Sequence, residues 1–258
     1  MTGDPLAPIA RFYDLDFGGF DEDLALYREL ARRTGGPVLE LGVGTGRVAL
    51  PLARAGLEVT GIDASPAFLA VARERAAREG ATRLRLVEAD ARTFRLDRRF
   101  RLVISALGSF AHLETRADQL AALARVREHL APDGLVVDLP VLDPAAWEPG
   151  VRPVVHEWTR RDPATGRWVD KFSSVEADPA VQTQRVTYWY DERDEAGTVR
   201  RTSASFPLRH VFRYEMEGLL SQSGLALEAV YGDYDLAPFE AGSRRLIVVA
   251  GAAGGEGP

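Results

Sequence analysis

Ten residues, Val38-Leu39-Glu40-Leu41-Gly42-Val43-Gly44-Thr45-Gly46-Arg47, constrain what this chain can fold into more than any others. An apolar run of β-type is followed by three glycines at alternate positions and then by the helical spacing Val48, Ala49, Leu52, Ala53. Strand, tight turn and helix N-terminus, in that order, is the unit with which an α/β sheet offers bare backbone to a nucleotide-like ligand. Glycine is needed where the chain reverses through dihedrals that side chains forbid and where a ligand must touch main chain. A dinucleotide fingerprint, G-x-G-x-x-G, would need glycine where Arg47 stands. Glu40, two residues before the first glycine, would repel a pyrophosphate but suits a cationic amino-acid end.

The following segments repeat the strand–helix alternation. A helix interrupted by Pro51 ends at Gly56, and the strand Leu57 to Asp63 leads to Ala64, then Ser65 as N-cap and Pro66 at the first helical position. An acid at the end of the second strand of a doubly wound sheet accepts hydrogen bonds from ribose hydroxyls, so Asp63 is the ribose candidate. A helix stopping at Gly80 precedes a third strand, Leu84 to Glu88, and then Asp90-Ala91, an acid for an adenine edge and an apolar neighbour for the ring. The fourth strand, Phe100 to Ser105, runs into Ala106-Leu107-Gly108-Ser109-Phe110-Ala111-His112, where an acceptor should meet the ligand. His112 either packs beside the next helix or serves as general base or substrate contact. That next helix opens with Thr115 and Asp118 in a capping arrangement, and His129 at its end reads as solvated. Pro132-Asp133-Gly134 should turn into a fifth strand, Leu135 to Leu139.

Before the glycine loop, Arg11 to Phe20 precedes an amphipathic helix over about 22 to 33. Within that stretch Tyr13-Asp14 either packs on the sheet edge or closes over the ligand. Residues 1 to 8 and 251 to 258 read as mobile ends.

From Pro140 onward the pattern changes. Segments 153–160, 167–177, 181–191 and 198–206 are β-rich and separated by turn signals such as Asp178-Pro179, which predicts an antiparallel insertion over the carboxyl edge of the main sheet. It contributes Trp158, Trp168, Tyr188, Trp189, Tyr190 and Phe206. These aromatics either pack across strands or form a lid that excludes water. A helix from Arg209 and strands 225–231 and 244–250 complete the sheet. The join at 232–239 is too short for a helical crossover, so the last strand should be antiparallel. Five parts follow: an N-terminal cap segment and helix at 1–36, a binding core at 37–140, the β lid at 141–208, the rest of the core at 209–250 and a tail at 251–258.

Composition narrows the chemistry. The chain has no cysteine, which removes disulfides, thiolate metal sites and any thiol nucleophile, and no metal site is expected. The net charge of −6, with 11 basic and 12 acidic side chains between residues 143 and 215, offers no platform for a phosphate backbone, so no nucleic-acid partner is expected. No apolar run is long enough to cross a membrane, and no basic stretch followed by an apolar segment opens the chain, so a cytoplasmic enzyme is the default. The sequence does not fix the oligomeric state, and a homodimer is one expectation. Lys171 is the only lysine among 32 basic residues.

The Glu40-x-Gly42-x-Gly44-x-Gly46 loop resembles that of class I S-adenosylmethionine (SAM) methyltransferases, and the resemblance covers roughly residues 11 to 140 and 209 to 250. It implies an α/β, Rossmann-like, doubly wound sheet of seven strands in order 3-2-1-4-5-7-6 with strand 7 reversed. It also implies that Glu40 holds the methionine amino group, that Gly42, Gly44 and Gly46 admit the cofactor, and that Asp63 binds ribose. Asp90 with Ala91 would frame adenine, and Ala106 and Leu107 would border the methionine end. Tyr13-Asp14 and His112-Leu113, together with the inserted lid, are similar to the N-methyltransferases that dimethylate amino sugars, in which a tyrosine and a histidine flank the acceptor. The expected activity is methyl transfer from SAM to a nitrogen or oxygen of a small metabolite. Two rival readings are a SAM-binding regulator without turnover and an NAD(P)-dependent oxidoreductase, the latter opposed by Arg47 and Glu40.

Overall fold

The computed structural model describes residues 4–138 and 149–253. In chain order, a 3-10 turn (Ala7–Phe12) runs into α1 (Tyr13–Phe17) and α2 (Leu24–Thr34). Then come β1 (Val38–Leu41), α3 (Ala49–Arg54), β2 (Val59–Asp63), α4 (Pro66–Glu79), β3 (Leu84–Glu88), β4 (Phe100–Ser105), α5 (Arg116–His129) and β5 (Leu130–Asp138). Strands β6 (Gly150–Val151), β7 (Val155–Arg161), β8 (Trp168–Asp178), β9 (Thr183–Arg193) and β10 (Val199–Arg209) follow, and α6 (Arg213–Gln222), β11 (Leu225–Tyr231) and β12 (Ile247–Ala252) end the fold.

The first sheet has the order β11-β12-β5-β4-β1-β2-β3. Strands β3, β2, β1, β4 and β5 are parallel, while β12 runs antiparallel to both β5 and β11. This is the expected order with the expected reversal. The sheet is covered on both faces, as a parallel sheet must be. Val38, Leu102, Ile104, Ile247 and Val249 face Tyr27, Leu30, Leu52 and Leu69 of α2, α3 and α4. Their alternates Leu39, Leu41, Val103, Val248 and Ala250 face Leu123 and Val126 of α5 and Met216 and Leu219 of α6.

Local chemistry sets the helix ends. Ser65 accepts from the Phe68 N–H at 3.2 Å with Pro66 at the first helical position, and Gly80 closes α4 in the left-handed region. Thr115 does the same for α5, accepting from the Asp118 N–H at 3.1 Å. The second sheet is antiparallel, in order β10-β9-β8-β6, with β7 pairing along the same edge of β8. Its strands lie within a few residues of the expected segments.

Four expectations need correction. His129 is buried: its Nε2 accepts from the Leu96 N–H at 3.0 Å, Nδ1 meets the Arg125 carbonyl at 2.7 Å, and its ring packs 4.6 Å from that of Phe94. The fifth strand starts at Leu130, and the turn at 132–134 is absorbed by a register shift between Phe100↔Leu130 and Leu102↔Leu135. From Asp4 the start of the chain is tied down, because the Asp4 carboxylate accepts from the Leu6 and Ala7 amides and from the Ser65 hydroxyl. Gly251 and Ala252 belong to β12. Residues 1–3, the 140/141 boundary and tail residues 254–258 lie outside the described residues.

The segment between Leu6 and Leu15 is the wedge between the two sheets. Ile9 and Phe12 enter a separate cluster with Val169, Val186, Tyr190, Ala204 and Phe206 of the second sheet, and Phe12 stacks on Tyr190 at 4.5 Å. Polar contacts fasten the same segment on both sides. Asp14 accepts from Thr45 Oγ1 (2.6 Å) and Arg75 Nη1 (2.8 Å) of the core. Asp16 accepts from Trp158 Nε1 (3.0 Å), Tyr190 (3.1 Å) and Lys171 of the second sheet.

Candidate active site

A cavity of about 670 Å³ lies at the carboxyl ends of β1 to β4 beneath the second sheet. That is within the range of small-molecule sites. Its wall includes Gly42, Gly44, Asp63, Ala64, Asp90, Ala91 and Leu107 from the core, Tyr13 and Phe17 from the N-terminal segment, His112, and Tyr188, Tyr190 and Phe206 from the second sheet. Glu40, Gly46 and Ala106 do not line it.

The glycine loop is shaped by contacts. Gly42 has φ +65°, and a Cβ there would lie 2.9 Å from both Cβ and Oγ of Ser109, so the loop and the turn after β4 touch only because this residue has no side chain. Gly44, at φ +55°, donates its N–H to Asp63 Oδ2 at 2.8 Å, and Ser65 N–H donates to Oδ1 at 2.8 Å. Asp63 therefore ties the ends of β1 and β2 together. Burial raises its pKa against the opposing pull of those amides. Gly46 serves the fold: its φ is +82° and a Cβ would meet the Leu50 side chain at 3.1 Å. Leu107 holds a left-handed φ of +49°, a backbone conformation that costs free energy and clusters at functional sites.

Glu40 is buried with one oxygen, Oε2, lacking any hydrogen-bond partner. Burial pushes its pKa up to about 8, opposed by Arg47 and the Ala49 amide. An orphaned buried acceptor just ahead of the glycine loop is what a ligand's ammonium group would satisfy. Arg47 is itself engaged, donating to Asp23 Oδ1 and Oδ2 at 2.7 and 2.6 Å and to the Phe20 carbonyl at 3.0 Å. Both partners are buried.

Asp90 lies on the wall, and its carboxylate is clasped by Arg92, whose Nε donates to Oδ1 at 2.9 Å and which continues to Asp118 at 3.0 Å. The Arg92 hydrogen bonds hold Asp90 below the usual carboxylate range. Any adenine amine would share that carboxylate with a guanidinium.

At the other end, His112 closes a 3-10 turn, Ser109–His112, that begins at Gly108. Its ring is open to the cavity 5.4 Å from the ring of Phe206, and desolvation by the surrounding protein lowers its pKa, which favours the neutral imidazole. Tyr13 packs against Phe17 (5.0 Å) and Phe68 (5.3 Å). Burial, opposed by Arg47, pushes its phenol up to about 12, so it stays protonated. The wall thus joins a neutral base, a protonated phenol and an aromatic roof. Sequence reasoning did not single out Arg92, Arg209 or His210, which also line it. The lone lysine was the one available signal for Lys171, which sits behind Tyr188 with Nζ 4.0 Å from that ring's centroid.

A methyltransferase-domain family model matches residues 38–134. The dTDP-3-amino-3,4,6-trideoxy-α-D-glucopyranose N,N-dimethyltransferase of Streptomyces venezuelae is 31% identical over 231 residues, covering 86% of this chain and 92% of that protein. The chain belongs to the class I SAM-dependent methyltransferases. A second relative of this methyltransferase, the dTDP-3-amino-3,6-dideoxy-α-D-glucopyranose N,N-dimethyltransferase of Streptomyces fradiae, is 35% identical over 149 residues, 55% of this chain and 56% of that one. The chain thus spans just over half of that relative's length.

Among solved structures, the CcbJ methyltransferase of Streptomyces caelestis superposes with a TM-score of 0.79 at 28% identity, covering 97% of this chain and all of the other. SAM-bound CalS10, an amino pentose methyltransferase of Micromonospora echinaspora, gives 0.72 at 26% identity over 93% and 96%. The methyltransferase uses SAM as cofactor, and the bare backbone of Gly42 and Gly44 on the cavity wall, with the orphaned Glu40 oxygen behind it, fits that group. No helix among the described residues is long and apolar enough to cross a membrane.

Proposed function

We propose that this enzyme methylates the amino nitrogen of a small hydroxylated metabolite, an amino sugar or a close analogue, bound between His112 and the aromatic roof. The observation that carries this reading is the His112 ring, open to the cavity and 5.4 Å from the ring of Phe206. An amine must give up a proton in becoming a methylated, uncharged product, and a neutral imidazole is the group that takes it. Glu40, Gly42, Gly44 and Gly46, Asp63 with Ala64, Asp90 with Ala91, and Ala106 with Leu107 hold the cofactor in this assignment. Its sulfonium supplies an already activated methyl group. The protein's task is then alignment and exclusion of water, effects that together supply roughly 7–11 kcal/mol. In this assignment the Tyr13 phenol, on the cavity wall, donates a hydrogen bond to the acceptor, and Tyr188, Tyr190 and Phe206 close the site. The reading extends to a lid inserted at 141–208 and to a cytoplasmic enzyme with no nucleic-acid partner, in keeping with the −6 charge; a homodimer is consistent with it.

The test is incubation with SAM and a panel of amino sugars, following S-adenosylhomocysteine release and product mass. One or two added methyl groups on nitrogen are expected. Methylation confined to hydroxyl oxygens, or none on any amine, would refute the reading.

A further inference from the structure

The charge on the cavity wall decides which amines enter. Among the described residues, five carboxylates stand there against two guanidiniums: Asp4, Asp63, Asp90 and Asp118, with Arg92, lie at the end assigned to the cofactor, which leaves Glu114 and the Arg209–Glu215 pair for the acceptor end. Neither guanidinium is uncommitted. Arg92 binds Asp90 and Asp118. Arg209 donates through Nη1 to Gln119 Oε1 at 2.8 Å and through Nη2 to Glu215 Oε1 at 2.6 Å. Lys171, behind Tyr188, is held by Asp16 and, at 2.8 Å, by Glu157. His210 Nε2 faces Gln184 Oε1 at 2.8 Å. The cofactor, with sulfonium and ammonium against one carboxylate, adds a single net positive charge and does not invert this balance.

A diphosphate group is recognised by donors free to fork onto its oxygens, arginine above all. Among the described residues each arginine or lysine at this cavity already has a carboxylate partner, and a further dianion would face like charge, which suppresses wrong partners. An ammonium meets the opposite field.

Resting on the reading above that the roofed end takes an amine, we infer that the acceptor is uncharged or cationic overall and bears no nucleotide diphosphate. The amine is therefore presented as a free amino compound or as an amino sugar already joined to a neutral group. The transfer of the sugar from its nucleotide, where a sugar is involved, precedes methylation.

Two measurements test this on the enzyme. The first compares kcat/KM, with SAM saturating, for dTDP-3-amino-3,6-dideoxy-α-D-glucopyranose and for the methyl glycoside of the same amino sugar. The neutral glycoside should be favoured roughly tenfold or more. Equal or better turnover of the nucleotide form would overturn the inference. The second is calorimetric titration of the S-adenosylhomocysteine complex with thymidine diphosphate. No binding at millimolar concentration is expected, and micromolar affinity would overturn the inference. If neither sugar is methylated, the proposed function fails at these acceptors, while the thymidine diphosphate titration still decides the inference.

Discussion

Replacing Lys171 by methionine keeps the volume of the side chain and deletes its charge at the junction of the wedge and the second sheet. The side chains of Lys171 and Asp16 are only 2% and 6% exposed, so solvent screens their attraction weakly. Asp16 would keep its hydrogen bonds from Trp158 and Tyr190 but lose its counter-charge. An uncompensated buried charge of this kind costs about 3–5 kcal/mol. Glu157, a third exposed, adds little. At about 2–4 °C per kcal/mol for a chain of this size, Tm should fall by roughly 6–20 °C. The sign of a second substitution is more decisive than the size of the first. Asp16→Asn in the Lys171→Met background removes the stranded charge, so the double variant should be more stable than Lys171→Met alone. Urea unfolding of the four proteins of the cycle measures this, and titration with S-adenosylhomocysteine should show weaker binding by Lys171→Met, because Asp16 shares α1 with Tyr13. Strictly additive losses, or a Lys171→Met loss below about 1 kcal/mol, would show that the buried pair does not fasten the wedge.

Three further outcomes follow from the site. His112→Ala should lower kcat by about 10²- to 10⁴-fold with little change in SAM affinity. In the parent enzyme kcat should fall only as pH drops below the ordinary histidine value, because burial lowers the His112 pKa and the base must be neutral, and the variant should lack that limb in a pH–rate profile. Gly42→Ala puts a Cβ 2.9 Å from Ser109 at a positive φ and should abolish cofactor binding in calorimetry, whereas Gly56→Ala, at φ +93° with nothing within 4 Å, should cost stability alone. The Glu40 pKa of about 8 lies above its ordinary 4.5. Proton uptake there stabilises the folded ligand-free protein below that ordinary value, and the contribution is lost as pH rises through about 8. Glu40→Gln should flatten this dependence in urea unfolding, and it should remove the proton that the parent releases on binding SAM at neutral pH, read by calorimetry in two buffers.

What could be read from the residues was whatever has a local period or a local cap. Ser65 and Thr115 announce helices through their own hydroxyls, and the short join at 232–239 settles the direction of β12. The lid strands were legible because turn signals bracket β-rich runs. What stayed hidden is long-range and aperiodic. His129 lies at a helix end where histidine is commonly solvated, and only the loop holding Leu96 buries it. Arg47 marked the departure from a dinucleotide loop, yet nothing near it named Asp23 as its partner. Residues 4–8 looked like a loose end because the covering of this segment comes from α4 and from strands far later in the chain. For the same reason the hold of Arg92 on Asp90 was not legible.

The wedge also sets an order of assembly. Ile9 and Phe12 are made early, but the surfaces that bury them, around Val169, Val186 and Phe206, emerge only after the whole core through β5 has been synthesised. The second sheet is thus not a transplantable module: cut from this protein, it would carry a greasy concavity with no filling. A nascent chain must keep its first helical turn waiting until the late strands arrive to receive it.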